Sequence, residues 1–177
     1  MKNNPPRRAG KLTRRMLDRL DLRILSALQE NGRMSNKELA DKVGLSASPC
    51  LVRVKRLEAA GLISRYIAII ELRKVIDSIS VLALIYLRES DYKVARTLEE
   101  YLLNLPQLVE LYDVNGECDY VARLVCRSTE DYSQIARVLL DTPQYQVRQI
   151  ASYIVLRQIR EFSGLNLPYL LSEREGR

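Results

Sequence analysis

Between Ser35 and Gly61 the chain sets two capped helical segments on either side of a very short turn, and this spacing restricts the fold more than any other feature. Ser35-Asn36-Lys37-Glu38 has the form of a capping box. The Ser35 hydroxyl accepts from helix N–H groups while Glu38 reaches back to the serine N–H. Leu39, Ala40 and Val43 give the helix a short apolar face, and Gly44 closes it after about two turns. In Leu45-Ser46-Ala47-Ser48-Pro49 either serine can cap a second helix, with Pro49 in its first turn where a missing N–H costs nothing. That helix runs to Ala60, and Gly61 stops it. Upstream, Asp18 caps a helix in which Asp21 is a favourable first-turn acid and Leu17, Leu20, Ile24 and Leu28 share a face, ended by Asn31-Gly32. Three helices with so tight a second connection predict a helix-turn-helix, small Ala40 and Gly44 letting the last two cross closely.

The charge supports a polyanion partner for this end of the chain. The formal net charge of +6 is unevenly placed: residues 1–66 hold 15 Lys/Arg against 6 Asp/Glu, and residues 67–177 hold 13 against 16. A basic module joined to a mildly acidic one suggests nucleic acid for the first and another ligand for the second. On the third helix, 100° per residue places Cys50, Val54 and Leu57 together, facing the other helices. The opposite face collects Ser48, Pro49, Val52, Lys55 and Arg56, with Ser46 before it and Arg53 at its flank. Short side chains near a helix N-terminus can read base edges, and Lys and Arg neutralise phosphates. These seven residues are the expected DNA-binding set. The alternative is an ordinary solvated face.

After Gly61 the texture changes. Residues 62–72 are rich in β-branched and aromatic side chains and predict a connecting strand, with the boundary region extending over 63–78. Strand 80–89, helix 91–104, strand 107–114, a turn at Asn115-Gly116, strand 118–127, helix 129–140 and strand 146–158 then follow in order. This β-α-β-β-α-β pattern is the ferredoxin-like plan, two helices on one face of an antiparallel sheet. The fold class is therefore α+β: a three-helix, winged-helix-like domain over 16–62, a connecting strand, and a ferredoxin-like domain over 79–162. Residues 1–15 predict a basic flexible arm and 163–177 a C-terminal tail, disordered from Ser172. Val81 to Leu87 is apolar at nearly every position, so the sheet face away from the helices also requires cover, most economically by a second copy.

Other chemistries find little support. Histidine is absent, and no nucleophile-base pair, P-loop or dinucleotide glycine pattern stands out, so neither an enzyme nor a metal site is expected. Three cysteines without close pairing fit a reduced, cytoplasmic protein. No apolar run reaches membrane-spanning length. Cys50, on an inner helix face, reads as packing. An RNA-binding sheet would need several stacking rings where strand 118–127 offers only Tyr120.

The motifs Leu17-Asp18-Arg19-Leu20-Asp21, Arg33-Met34-Ser35, Glu38-Leu39-Ala40, Val43-Gly44-Leu45-Ser46, Pro49-Cys50, Arg53-Val54-Lys55-Arg56-Leu57-Glu58 and Gly61-Leu62-Ile63 resemble the opening of the Lrp/AsnC transcriptional regulators. Val114-Asn115-Gly116-Glu117-Cys118-Asp119-Tyr120 is similar to that family's strand-turn-strand. The resemblance runs from about Leu17 to Arg160. It implies a cytoplasmic homodimer, or an octamer, that binds operator DNA. It also implies no cofactor beyond a small effector, an amino acid or related molecule, held between C-terminal domains at Asn115, Gly116, Glu117, Asp119, Tyr120 and Ser152. A loop glycine lets backbone N–H groups approach a carboxylate, and Glu117 or Asp119 could balance an α-ammonium. Asn-Gly is equally a common hairpin signal, and the alternative role for Asp119 is simply to cap or pair. Two departures stand out: Arg65-Tyr66 where the family has Gly-Tyr, and a longer Pro143-Gln144-Tyr145-Gln146-Val147 before the last strand. Two competing readings are an amino-acid-sensing regulatory subunit that does not touch DNA and an effector-independent architectural DNA-binding protein.

Overall fold

The computed structural model of the chain describes residues 17–88, 92–160 and 162–171. The expected arm, 1–15, and the end of the tail, 172–177, lie outside the described residues. The chain divides into two compact units. One ends at Ile69 and resumes at Arg160; the other is Ile70–Ile159.

The first unit is built on α1 (Arg19–Glu30), α2 (Asn36–Val43) and α3 (Ala47–Ala59). Local chemistry sets each boundary. Asp18 and Asp21 form a capping box on α1, Ser35 and Glu38 one on α2, and Gly44 ends α2 at φ 77° in the left-handed region. Ser46 occupies the N-cap of α3 by backbone position but makes no side-chain capping bond, so the expected serine cap does not form. Instead the Asn36 amide, at the start of α2, donates to the Ala47 carbonyl and fixes the turn from the other side. Ile24, Ala27, Leu39, Ala40, Val43, Cys50 and Leu57 make the core, joined by half-buried Met34, Val54 and Leu62. A short helix, α6 (Leu167–Leu171), lies in the described part of the expected tail and packs on α1. Gln29 ties the preceding loop: its amide donates to the Leu165 carbonyl and its oxygen accepts from the Leu165 N–H. Gly164 makes that approach possible, at φ 107° and with space for a Cβ only 2.9 Å from the Gln29 Cβ.

The second unit is a four-stranded antiparallel sheet in the order β2-β3-β1-β4, from β1 (Ile79–Leu87), β2 (Leu108–Asp113), β3 (Tyr120–Cys126) and β4 (Val147–Ile154). Helices α4 (Tyr92–Leu103) and α5 (Thr129–Asp141) separate them in the ferredoxin-like pattern. Alternation decides the layers. Val81, Ala83, Ile85 and Leu87 are buried, and the last three join Leu98, Leu102, Ile135 and Leu139 in the core. Leu82, Leu84 and Tyr86 point the other way, where Leu82 pairs with Arg123 and Tyr153, and Leu84 with Val121 and Ala151. On this uncovered face Tyr112 and Tyr153 are 52% and 57% exposed.

Three expected segments differ. Residues 62–72 form no strand, because a strand requires a ladder partner and the sheet offers this segment none; Ile67, Ile69 and Ile70 stand exposed. The last strand stops at Ile154 rather than 158, since β1 begins at Ile79 and the ladder runs out after Val155 N–H reaches the Ser80 carbonyl. Asn115-Gly116 is not a two-residue turn. The β2–β3 connection is six residues, closed by Val114 N–H on the Asp119 carbonyl, and Gly116 does not take a positive φ. Cys118 is buried, and the Asp119 N–H bonds the Ile85 carbonyl on β1.

Candidate nucleic-acid interface and effector loop

Helix α3 separates the two kinds of side chain that a reading helix needs. Cys50 and Leu57 are fully buried beneath it, and burial raises the Cys50 thiol pKa, as expected of a packing residue. Ser46, Ser48, Pro49, Lys55 and Arg56 are exposed on the other side, with Val52 67% exposed beside them. Neither the Ser46 hydroxyl nor any other side chain caps the helix. Its first turn is therefore open to a partner. Arg53 is only half-buried, and it and Arg56 are held by acids on α1.

These acids form the polar centre of the unit. Asp21 is 0% exposed, in line with Leu17, Ile24 and Leu28 on the stripe of α1 that meets α3. Arg53 Nη1 donates to Asp21 Oδ1 at 2.9 Å and to Asp18 Oδ2 at 2.7 Å, and Arg56 Nη2 donates to Asp21 Oδ2 at 2.5 Å. The Asp18 N–H adds a further donor to Asp21. The Asp18 pKa is lowered, first by the Asp21 backbone N–H and then by Arg53, and the Arg53 pKa is raised by both carboxylates. Sequence reasoning took Asp21 as a favourable first-turn acid and missed both its part in the capping box and its pairing with the arginines. The available signal was an acid on an apolar helical stripe facing two arginines spaced i, i+3.

The effector set is less unified. Asn115, Gly116 and Glu117 lie exposed on the β2–β3 loop. Asp119 Oδ2 accepts from the Leu87 N–H at 2.8 Å, linking that loop to the end of β1. Tyr120 is 4% exposed in the helix-covered core, with its hydroxyl on Glu99 of α4; burial and Glu99 both raise its pKa. Ser152 pairs with Ala83, two positions along β1 from the partner of Tyr120, and its Oγ shares a hydrogen bond with the Tyr132 hydroxyl on α5. The loop residues thus sit together, whereas Tyr120 is buried with its hydroxyl on Glu99 and Ser152, though exposed, is engaged by Tyr132. No helix among the described residues is long and apolar enough to cross a membrane, and no cluster of potential metal ligands occurs among them.

Comparison with known proteins accords with both halves. The winged helix-turn-helix DNA-binding model matches residues 17–64, and the Lrp/AsnC ligand binding domain model matches 80–165. The leucine-responsive regulatory protein of Escherichia coli is 33% identical over 150 residues, covering 84% of this chain and 90% of that protein. An AsnC family transcriptional regulator from Agrobacterium tumefaciens superposes with a TM-score of 0.79 at 30% identity, covering 87% of this chain and 99% of the other. A transcriptional regulator of Neisseria meningitidis, solved as an L-Met complex, gives 0.78 at 31% identity, with the same coverage. The chain belongs to the Lrp/AsnC family: it is a DNA-binding transcriptional regulator with an N-terminal winged helix-turn-helix and a C-terminal ligand-binding domain.

Proposed function

We propose that the chain is an amino-acid-responsive regulator that reads operator DNA as a homodimer. The observation that carries the reading is the exposed strip Ser46, Ser48, Pro49, Val52, Lys55 and Arg56 on a helix pinned by Cys50 and Leu57. Lys55, Arg53 and Arg56 supply cationic contacts to phosphates or base edges, and the short residues of the first turn allow close approach. Two such helices in a symmetric dimer address half-sites about 34–36 Å apart. The uncovered sheet face, with Leu82, Leu84, Tyr86, Val121 and Tyr153, and the exposed isoleucines 67, 69 and 70 are apolar surfaces that a second copy would cover.

The effector is an amino acid or a close relative, bound at the loop of Asn115, Gly116, Glu117 and Asp119 and completed by a second copy. L-Met in the Neisseria meningitidis relative supports the ligand class. The scatter of Tyr120 and Ser152 away from the loop supports a site that one copy alone does not finish.

A ligand that binds only the native state raises the melting temperature, by an amount that grows with the logarithm of its excess over Kd. A thermal-shift screen of amino acids, L-Met included, paired with duplex binding before and after addition, tests both parts. A shift that changes duplex affinity is expected. Duplex binding with no shift from any amino acid would favour an effector-independent architectural regulator, and shifts without any duplex binding a sensing subunit.

A further inference from the structure

We infer that Asp21, on α1, is a positioning residue for DNA reading: its buried carboxylate orients the guanidiniums of Arg56 and Arg53 on the exposed strip of α3. The inference rests on the DNA-reading role proposed for that strip. Asp21 is the one fully buried charged side chain among the described residues, and it sits where an apolar residue would pack without cost of desolvation. Its two oxygens divide the work. Oδ1 takes Arg53, and Oδ2 takes Arg56 and the Asp18 N–H. A guanidinium is a rigid planar fork with five donors, so fixing one terminal nitrogen constrains the plane in which the remaining donors lie. The Arg56 side chain is 53% exposed while one nitrogen is held, which leaves the rest of the fork on the reading surface. Bidentate recognition of guanine or phosphate depends on that plane. Lys55, one position away, makes no ion pair among the described residues and acts as a point charge by comparison.

The arrangement also separates specificity from general attraction. Asp18 and Asp21 offset much of the field of the two arginines, so removing the Asp21 charge makes the surface more positive while loosening its geometry. A merely structural residue would lower binding to every sequence alike. A positioning residue lowers the discrimination between sequences.

The test uses the full chain and a duplex enriched by it from a random pool, compared with a scrambled duplex at several salt concentrations. Asp21→Asn keeps the side-chain shape and removes the charge. The expected result is a loss of about tenfold or more in the ratio of the two affinities, with scrambled-duplex affinity unchanged or raised and its salt dependence steeper. An unchanged ratio, or an equal loss on both duplexes, overturns the inference. Should Asp21→Asn fail to fold by circular dichroism, Arg56→Lys decides: it keeps the charge and removes the fork, so the ratio falls if the fork is read and stays constant if it is not. Failure of the unaltered chain to enrich any duplex removes the DNA-reading role itself, and this inference with it, before any variant is compared.

Discussion

The Asp119 carboxylate accepts the Leu87 backbone N–H at 2.8 Å, so the loop between β2 and β3 is fastened to the last residue of β1. Where a ladder would otherwise leave that donor open, a side chain closes it.

Asp119→Ala should therefore destabilise the sheet unit by about 1.5–3 kcal/mol, the range for losing a hydrogen bond to a charged acceptor and stranding its donor. Asp119→Asn, whose amide oxygen can still accept, should recover part of this. Urea titration measures both through the midpoint at constant slope. If Asp119 also holds an effector ammonium, Asp119→Asn should abolish a ligand-induced thermal shift that the unaltered chain displays. A full-sized shift in the variant would assign Asp119 to structure alone.

Lys55→Ala should weaken duplex binding for all sequences and reduce the slope of log affinity against log salt by about 1, one phosphate contact. Filter binding across a salt series reads this directly. A slope equal to that of the unaltered chain would take Lys55 off the phosphates.

Gly164→Ala should detach the C-terminal segment from α1. The methyl would sit 2.9 Å from the Gln29 Cβ at a φ that side-chain-bearing residues rarely adopt. Backbone amides that are protected there, Leu165 on Gln29 and Leu170 on the Asn166 carbonyl, should exchange about tenfold faster or more. Gln29→Ala should give the same pattern through loss of both bonds. Unaltered exchange in both variants would contradict the docking.

Thermal stability should be flat from about pH 5.5 to 7.5 and fall in acid. The sequence has no histidine, the side chain that ordinarily titrates within that interval. Asp18, Glu38, Glu110, Glu130 and Asp131 all have pKa values lowered from 3.8 or 4.5: Glu38 by the Ser35 N–H, Glu110 by Arg123, and Asp131 by the Arg127 N–H. Groups with lowered folded pKa values stabilise above their unfolded pKa, and that contribution disappears as pH drops through the folded values. Melting temperatures taken at half-unit pH intervals should accordingly decline only below about pH 4.5. A step between about pH 6 and 7.5 would contradict this.

Ser35→Ala should cost about 1 kcal/mol by removing one half of the α2 capping box, with the change read from the denaturation midpoint. A change below a few tenths would mean that Glu38 alone holds the helix start.

The helices of the first unit and the order of elements in the second were legible because their signals are local. Ser35 and Glu38 are three residues apart, and Val81, Ala83 and Ile85 alternate within a single strand. What escaped depended on distant partners. Residues 62–72 have strand composition without a ladder to join, and Asp21 lies 32 residues from Arg53, beyond any helical period. The seven candidate DNA contacts were readable as a face of α3, but composition could not reveal that two of the arginines arrive already paired. The Asn115-Gly116 dipeptide carried a hairpin signal that Asp119 overrides by bonding sideways to β1.

The helical unit is discontinuous in sequence, closed on α1 by residues that follow the whole of the sheet unit. During synthesis, α1 to α3 leave the ribosome about a hundred residues ahead of the piece that packs against Gln29. The DNA-reading helices can thus be assembled early, but the unit acquires its last contact only after the sheet has been made. Transplanting residues 17–69 onto another ligand-binding domain would accordingly transfer the helices without their closing segment.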